Sequence, residues 1–306
     1  MHTANLGFSV VDFVCAMREL WSTITAATAV LGHVKVTFVL AAFAIDTASL
    51  VLMAFRWRIL LRTLGSGASL WEALLAYSAG VCVCNITPAR TVGGDACRAA
   101  LIRRPEGSPP LKAIAASVFY DRAADVPGIL LLGVIALPLI WPKSLRWAGL
   151  AALVLVAIAF AARPLYRRLV SRIGQWHRTA IGDLRGRPVA GAVGLSLVIW
   201  LLDITRIILV GMALGVAFVP SQAAAVSLLR LGSGAVPVPA GIGVVDSALV
   251  GGFMWLGQPA PTAAAMAVVE RVIVYGWSTA LGAVSLLLLG GSRALKKART
   301  AASNSA

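Results

Sequence analysis

The chain writes one pattern twice. Residues 88–95 read PARTVGGD and residues 239–246 read PAGIGVVD. Each is Pro-Ala, a glycine-bearing stretch, and an Asp seven residues after the Pro. Some 24–26 residues after that Asp comes an acid–base dipeptide inside an apolar run, Asp121-Arg122 in the first case and Glu270-Arg271 in the second. An acid also sits in the apolar run before each motif, Asp46 and Asp203. Charge in hydrocarbon is costly, so an ionisable residue there reads as functional. Interrupted apolar segments at corresponding places in two halves point to a transporter's binding site.

The surrounding composition sets the class. Of 306 residues, 59% are hydrophobic and 13% charged, about half the charged fraction of a soluble domain. The chain therefore reads as an all-α polytopic membrane protein. Its net charge of +15 lies in Lys and Arg clusters at the ends of apolar runs, the placement expected from the positive-inside rule and from attraction to anionic lipid. No folded soluble module is left to bind nucleic acid, so none is expected as a partner. Cys15, Cys82, Cys84 and Cys97 lack the spacing of a zinc site, and His2, His33 and His177 are scattered. No metal and no cofactor are expected. MHTANLGFSV lacks a basic n-region, so no cleaved secretory signal is expected.

Hydropathy divides the chain as follows. Residues 1–33 form an N-terminal amphipathic segment, read as lying on the membrane surface. Residues 34–140 form a first membrane repeat: a span at 34–55 closed by Arg56, Arg58 and Arg62, a re-entrant hairpin at 71–104, and a span at 113–140. Residues 141–188 hold a connecting span (145–162) and an Arg-rich loop (163–188). Residues 189–290 form the second repeat, with spans at 189–218 and 262–290 around a hairpin at 221–260; a basic tail, 291–306, follows. Placing each basic cluster in the cytoplasm gives the two repeats opposite orientation. The expected architecture is an inverted-repeat helical bundle with two re-entrant hairpins in a bacterial inner membrane. Its basic loop and C-terminus face the cytoplasm.

The candidate site is built from the breaks and the buried charges. Pro88 ends a helix; Gly93 and Gly94 permit a tight turn and close backbone approach; a helix is expected to begin near Asp95 with its amides pointing inward. Asp95 and Arg98 share a helical face: either a cap with its local Arg, or a headgroup contact. Gly241 and Gly243 with Asp246 repeat this grammar, and their amides suit an anion. Asp121 and Asp125, four apart, share a face beside Arg122. Glu270 and Arg271 diverge, so each is expected to pair across helices. These groups either lock the bundle or line a cavity that binds a charged headgroup or a proton. Asp203 and Arg206 are spaced to satisfy each other, Asp46 has no local partner, and Arg90 and Arg230 are candidate phosphate ligands.

Four signatures, FRWRILLRTLG (55–65), NITPARTVGGDACRAALI (85–102), YDRAAD (120–125) and PVPAGIGVVDSALV (237–250) followed by VVERVIVYG (268–276), make the chain similar to the lysylphosphatidylglycerol synthase/flippase transmembrane family over about residues 40–290. The resemblance implies lipid translocation, or an accessory role in a polyprenyl-linked sugar, hopanoid or other lipid pathway. Asp246 stands where many members have Glu, and Ala240 where many have Gly. Aminoacyl transfer to lipid is not expected of this chain, which is read as the membrane region alone. The leading expectation is a flippase for an anionic or lipid-linked membrane lipid. The alternatives are a membrane-embedded lipid-modifying transferase, with Asp121 and Asp125 holding a divalent ion, its accessory subunit, or a small-solute exchanger carrying protons on Asp46 and Glu270.

Overall fold

Every helix that is long and apolar enough to cross a membrane also carries buried charge, and this organises the fold. The computed structural model describes residues 21–23, 25–87, 90–102, 111–140, 187–236, 238 and 241–303. Expectations for residues 1–20, Pro88, Pro237, Pro239, Ala240, the connecting span 145–162 and most of the Arg-rich loop fall outside these, as does the side chain of Arg90. The described residues form helices: α1 (Val36–Thr63), α2 (Leu70–Ile86), α3 (Arg90–Ile102), α4 (Leu111–Ile140), α5 (Arg187–Ala213), α6 (Pro220–Ser233), α7 (Val244–Trp255), α8 (Ala260–Arg271), and α9 (Ser278–Ser303), joined to α8 by a π-helical turn, Val272–Trp277. Four segments can cross a bilayer by length and hydropathy: Val36–Thr63, Ala113–Leu139, Pro188–Ala213 and Ala260–Gly290. At 28, 27, 26 and 31 residues they exceed the roughly 20 that a hydrocarbon core requires. The protein is an all-α polytopic membrane protein.

Apolar side chains on the outside of these helices suit a lipid surround. Leu40, Val51, Val126, Val198, Leu201, Leu287 and Leu288 are exposed, which suits contact with lipid tails. The interior is built from small residues, Ala42, Ala223, Ala224, Ala263 and Ala265 among them, which let helix backbones approach closely in the absence of a strong hydrophobic drive.

The shorter helices come in two pairs. α2 and α3 pack on each other, as do α6 and α7. Contacts then match between halves: α1 against α2 as α5 against α6, and α3 against α4 as α7 against α8. The closing span of each half crosses to the other half's pair, α4 onto α6 and the α8–α9 span, through α9, onto α2, while α1 and α5 share an extensive contact. Capping is explicit at α2. Ser69 Oγ accepts from Glu72 N at 3.1 Å and Ser69 N donates to Glu72 Oε2 at 2.9 Å, a reciprocal capping box.

Two local expectations need correction. The first span does not stop at Arg56. α1 runs on to Thr63, and Arg56 is 1% exposed, because two carboxylates of α4 hold it inside the bundle. Nor does a turn form at Gly93-Gly94. α3 starts at Arg90, so both glycines and Asp95 lie within the helix and Asp95 is not at its N-terminus. What the glycines supply is proximity: a Cβ at Gly94 would stand 2.5 Å from the Gly80 carbonyl oxygen and 2.8 Å from Cys84 Cβ. Gly241 and Gly243, by contrast, do form a turn, with φ of +65° and +80°, a region that favours glycine.

Candidate functional site

Two networks of buried ion pairs occupy the helix interfaces. The first centres on Arg56 of α1. Its Nε donates to Asp121 Oδ1 at 2.8 Å, and its Nη1 donates to both Asp125 and Ser196. Arg98 of α3 donates to Asp121 Oδ2 at 2.8 Å and to Asp95 Oδ1 at 3.0 Å. Its guanidinium is held between two rings, 4.8 Å from the Trp57 centroid and 4.7 Å from that of Tyr77, where cation–π attraction adds to the ion pairs. Arg122 of α4 closes the network from its outer edge, donating to both Asp95 oxygens at 2.8 and 3.0 Å. Three guanidiniums meet three carboxylates in one connected set.

The second network centres on Arg206 of α5. Its Nη2 reaches Glu270 Oε1 at 2.7 Å and Asp203 Oδ1 at 2.8 Å, and its Nη1 reaches Asp46 Oδ1 at 3.4 Å. Arg230 of α6 binds Asp203 Oδ1 at 2.6 Å, with Glu270 Oε1 at 3.6 Å. Ser278 donates to Asp46 Oδ2 at 2.9 Å. Glu270 is fully buried, and Asp203 and Arg206 nearly so. Beside this set, Arg271 pairs with Asp246 at 2.7 Å and lies 4.1 Å from the Tyr275 ring centroid. Asp246 also accepts from Gly243 N at 2.8 Å, fixing the entry to α7.

The expected pairings can now be placed. Asp95 and Arg98 pair locally, as do Asp203 and Arg206. Glu270 and Arg271 do diverge, to Arg206 and Asp246. Asp46 finds its arginine across the bundle. Gly241 and Gly243 form the turn that precedes Asp246. Arg230 joins the second network through two carboxylates. Sequence reasoning missed Arg56, taken as a cytoplasmic end marker, and Ser196 and Ser278. It saw Arg206 only as the partner of Asp203, not as the hub for three acids. A signal was present for both arginines: each stands 39–40 residues before the Asp of its motif, Asp95 or Asp246. The two serines carry none, since Ser in an apolar helix is unremarkable.

One groove is also present, about 780 Å³, between α6 and α7. Ala225, Leu228, Leu229, Gly251 and Trp255 line it, with Ser233 and Ser247 at the end near the Gly241–Gly243 turn. It lies within one helix pair rather than between the two pairs, and its walls are mainly apolar. Among the described residues, no three His, Cys, Asp or Glu side chains converge as metal ligands.

Comparison with known proteins supplies the family. Residues 6–282 match the model of the lysylphosphatidylglycerol synthase transmembrane region. The chain belongs to that family. A UPF0104 membrane protein of Methanothermobacter thermautotrophicus is 25% identical over 83% of this chain and 86% of its own length. Another, from Methanocaldococcus jannaschii, is 25% identical over 85% and 87%. A third, from Pyrococcus horikoshii, is 21% identical over 87% and 91%. Both networks lie within the matched region of this lysylphosphatidylglycerol synthase-type membrane domain. Its membership places the protein in lipid biology.

Proposed function

We propose that this protein is a flippase that carries a polar lipid headgroup, anionic or lipid-linked, across the cytoplasmic membrane. The observation that carries the reading is the pair of buried Arg–carboxylate networks at matching places in the two halves. Each is assembled the same way. An arginine on the first helix of a half (Arg56, Arg206) meets the acid of the acid–base dipeptide on the last (Asp121, Glu270), and the other half supplies a polar group, Ser196 to the first and Asp46 to the second. Structural ion pairs alone have no reason to recur at such cost in a bilayer.

In this reading the halves are inverted repeats and the pairs α2–α3 and α6–α7 are re-entrant hairpins. The matching helix contacts support both points, as does the length of α3, α6 and α7, each too short to cross a bilayer. Arg122 with Asp95 forms the outer edge of the first network and the Arg271–Asp246 pair stands beside the second, and there a headgroup first exchanges protein pairs for its own. Arg90, next to the first break, is assigned as a phosphate contact. The apolar groove between α6 and α7 takes a lipid tail. Rocking of one half against the other gives alternating access, with the basic loop 163–188 and the C-terminus in the cytoplasm. The curated relatives are archaeal, so the placement is in a prokaryotic cytoplasmic membrane, without restriction to bacteria.

The test is flipping of a headgroup-labelled anionic lipid by the full chain in liposomes. Transport is expected for the wild type and lost in Arg122→Gln and Arg271→Gln, with the unfolding midpoint lowered by no more than a few degrees. Equal rates in protein-free liposomes and in all three proteins would sink the reading. Turnover of an activated lipid precursor by the same preparation would replace it with a lipid-modifying transferase.

A further inference from the structure

The two networks differ in one respect that their shared architecture hides. The first balances three guanidiniums with three carboxylates. The second sets two guanidiniums, Arg206 and Arg230, against three carboxylates, Asp46, Asp203 and Glu270. Among the described residues, the neighbouring Arg271–Asp246 pair is neutral in itself and leaves the difference in place. The excess acid is enclosed with the rest: Asp46 and Asp203 are each 7% exposed and Glu270 is fully buried.

We propose that the second network is a binding site for one proton, carried on Asp46, and that this proton is the coupling ion of translocation. The second half of that statement rests on the flippase reading; the first does not. A buried charge without a partner is relieved by neutralisation. The three carboxylates do not converge as metal ligands, so a proton fits better than a metal cation.

Asp46 is the carrier because it is held least. Glu270 receives Arg206 through both oxygens, at 2.7 and 3.3 Å. Asp203 receives two arginines at 2.6 and 2.8 Å. Asp46 has one guanidinium at 3.4 Å and the neutral hydroxyl of Ser278. The charged and titratable groups that face it come from α5 (Arg206), α6 (Arg230) and α8 (Glu270), with Asp203 on the other side of the Arg206 guanidinium. The acids of α4 turn to Arg56 instead, and Glu72 of α2 turns to its own helix start.

Uptake is simple in balance. The Asp46 carboxylate takes a proton from water and becomes a neutral acid; release returns the proton to water. Loaded, the second network matches the first in net charge and tolerates a closed, dry bundle. Unloaded, it carries one negative charge and favours a state that admits water. Two states with different proton affinity are what coupling requires.

Two measurements on the full chain separate the claims. In lipid nanodiscs near neutral pH, infrared difference spectra in H2O and D2O are expected to show the C=O band of a protonated carboxylic acid. Asp46→Asn removes that band, Asp125→Asn leaves it, and Asp46→Glu retains a shifted band, which guards against a variant that fails to fold. Absence of the band, or its survival in Asp46→Asn, overturns the proton site. In liposomes, one proton per lipid shifts the steady-state leaflet ratio of labelled lipid about tenfold for each unit of pH gradient, and Asp46→Asn abolishes the shift. A shift driven by a sodium gradient and not by pH overturns the proton as coupling ion. Lipid that moves under no condition sinks the flippase reading, while the band still decides the proton site.

Discussion

The Arg56 network and the Arg206 network sit at matching places, yet among the described residues only the first balances its charges. Around Arg56 every carboxylate has its share of a guanidinium, and Arg98 is further gripped by Trp57 and Tyr77. Among the described residues around Arg206, two guanidiniums face three carboxylates, so one acid is in excess. A balanced network has little to gain from a change of state. An unbalanced one is bistable, because its lowest energy depends on what it has bound.

The comparison breaks most visibly when each hub arginine is removed. Arg56→Leu leaves Asp121 to Arg98 alone and strips Asp125 of its cation. Arg206→Leu leaves three acids around Arg230. Removing one member of a buried ion pair costs about 3–5 kcal/mol, so both variants are expected to unfold at much lower temperature in detergent. Arg206→Leu is expected to suffer more, because it enlarges an existing excess of negative charge. Equal losses in thermal-unfolding scans would deny the imbalance.

A sharper contrast comes from one substitution made twice. Asp121→Asn leaves Arg56 and Arg98 with an uncompensated positive charge and is expected to cost about 3 kcal/mol. Asp46→Asn removes the excess acid, and its amide still accepts the Ser278 hydroxyl, so stability is expected to change by less than about 1 kcal/mol. The pH dependence sharpens it further. If Asp46 carries the proton, raising pH restores the excess charge, so wild-type stability is expected to fall as pH rises through that titration while Asp46→Asn stays flat. Parallel curves for the two proteins would remove Asp46 from the account.

How much of this was visible in the residues alone depends on the kind of interaction. The class, the four long apolar helices and the Gly241–Gly243 turn followed from local composition, and the acids followed from their cost in hydrocarbon. The pairing of Glu270 away from Arg271 followed from the 100° step of a helix. Arg56 was misread because an arginine near a span's end looks the same whether it anchors to lipid or turns inward, and only its partners on α4, 65 and 69 residues away, decide between them. Gly93-Gly94 was misread because glycine serves a turn and a close helix crossing equally well. Ser196 and Ser278 were illegible for the same reason: a serine gains meaning only from what another helix brings to it.

The two helix pairs differ as the two networks do. α2 and α3 meet so closely that a Cβ on Gly94 would lie 2.5 Å from the Gly80 carbonyl oxygen. α6 and α7 leave a groove, and a Cβ on Gly251 meets nothing within 4 Å. Gly94→Ala is therefore expected to destabilise by about 1–3 kcal/mol through overpacking against backbone. Gly251→Ala is expected to stabilise by about 0.5–1 kcal/mol, the usual gain of Ala over Gly inside a helix. If the groove holds a lipid tail, a larger side chain there, Gly251→Leu, slows flipping without loss of fold. Matched stability losses at Gly94 and Gly251 would show the pairs to be equally packed.

The smallest effects belong to the outer edge, where the halves are most alike. Arg122 is 44% exposed opposite Asp95, and Asp246 is 40% exposed opposite Arg271. Ion pairs of this exposure contribute about 0–1 kcal/mol. Arg122→Gln and Arg271→Gln are therefore each expected to lower the unfolding midpoint by only a few degrees. Their value lies in the second readout. If the edges receive the headgroup, both variants lose lipid movement far out of proportion to their small stability cost, and raising salt weakens lipid capture through the half-exposed charges while leaving the buried networks untouched. If either variant moves lipid at the wild-type rate, that edge is a structural clasp, and the headgroup must enter through the other half alone.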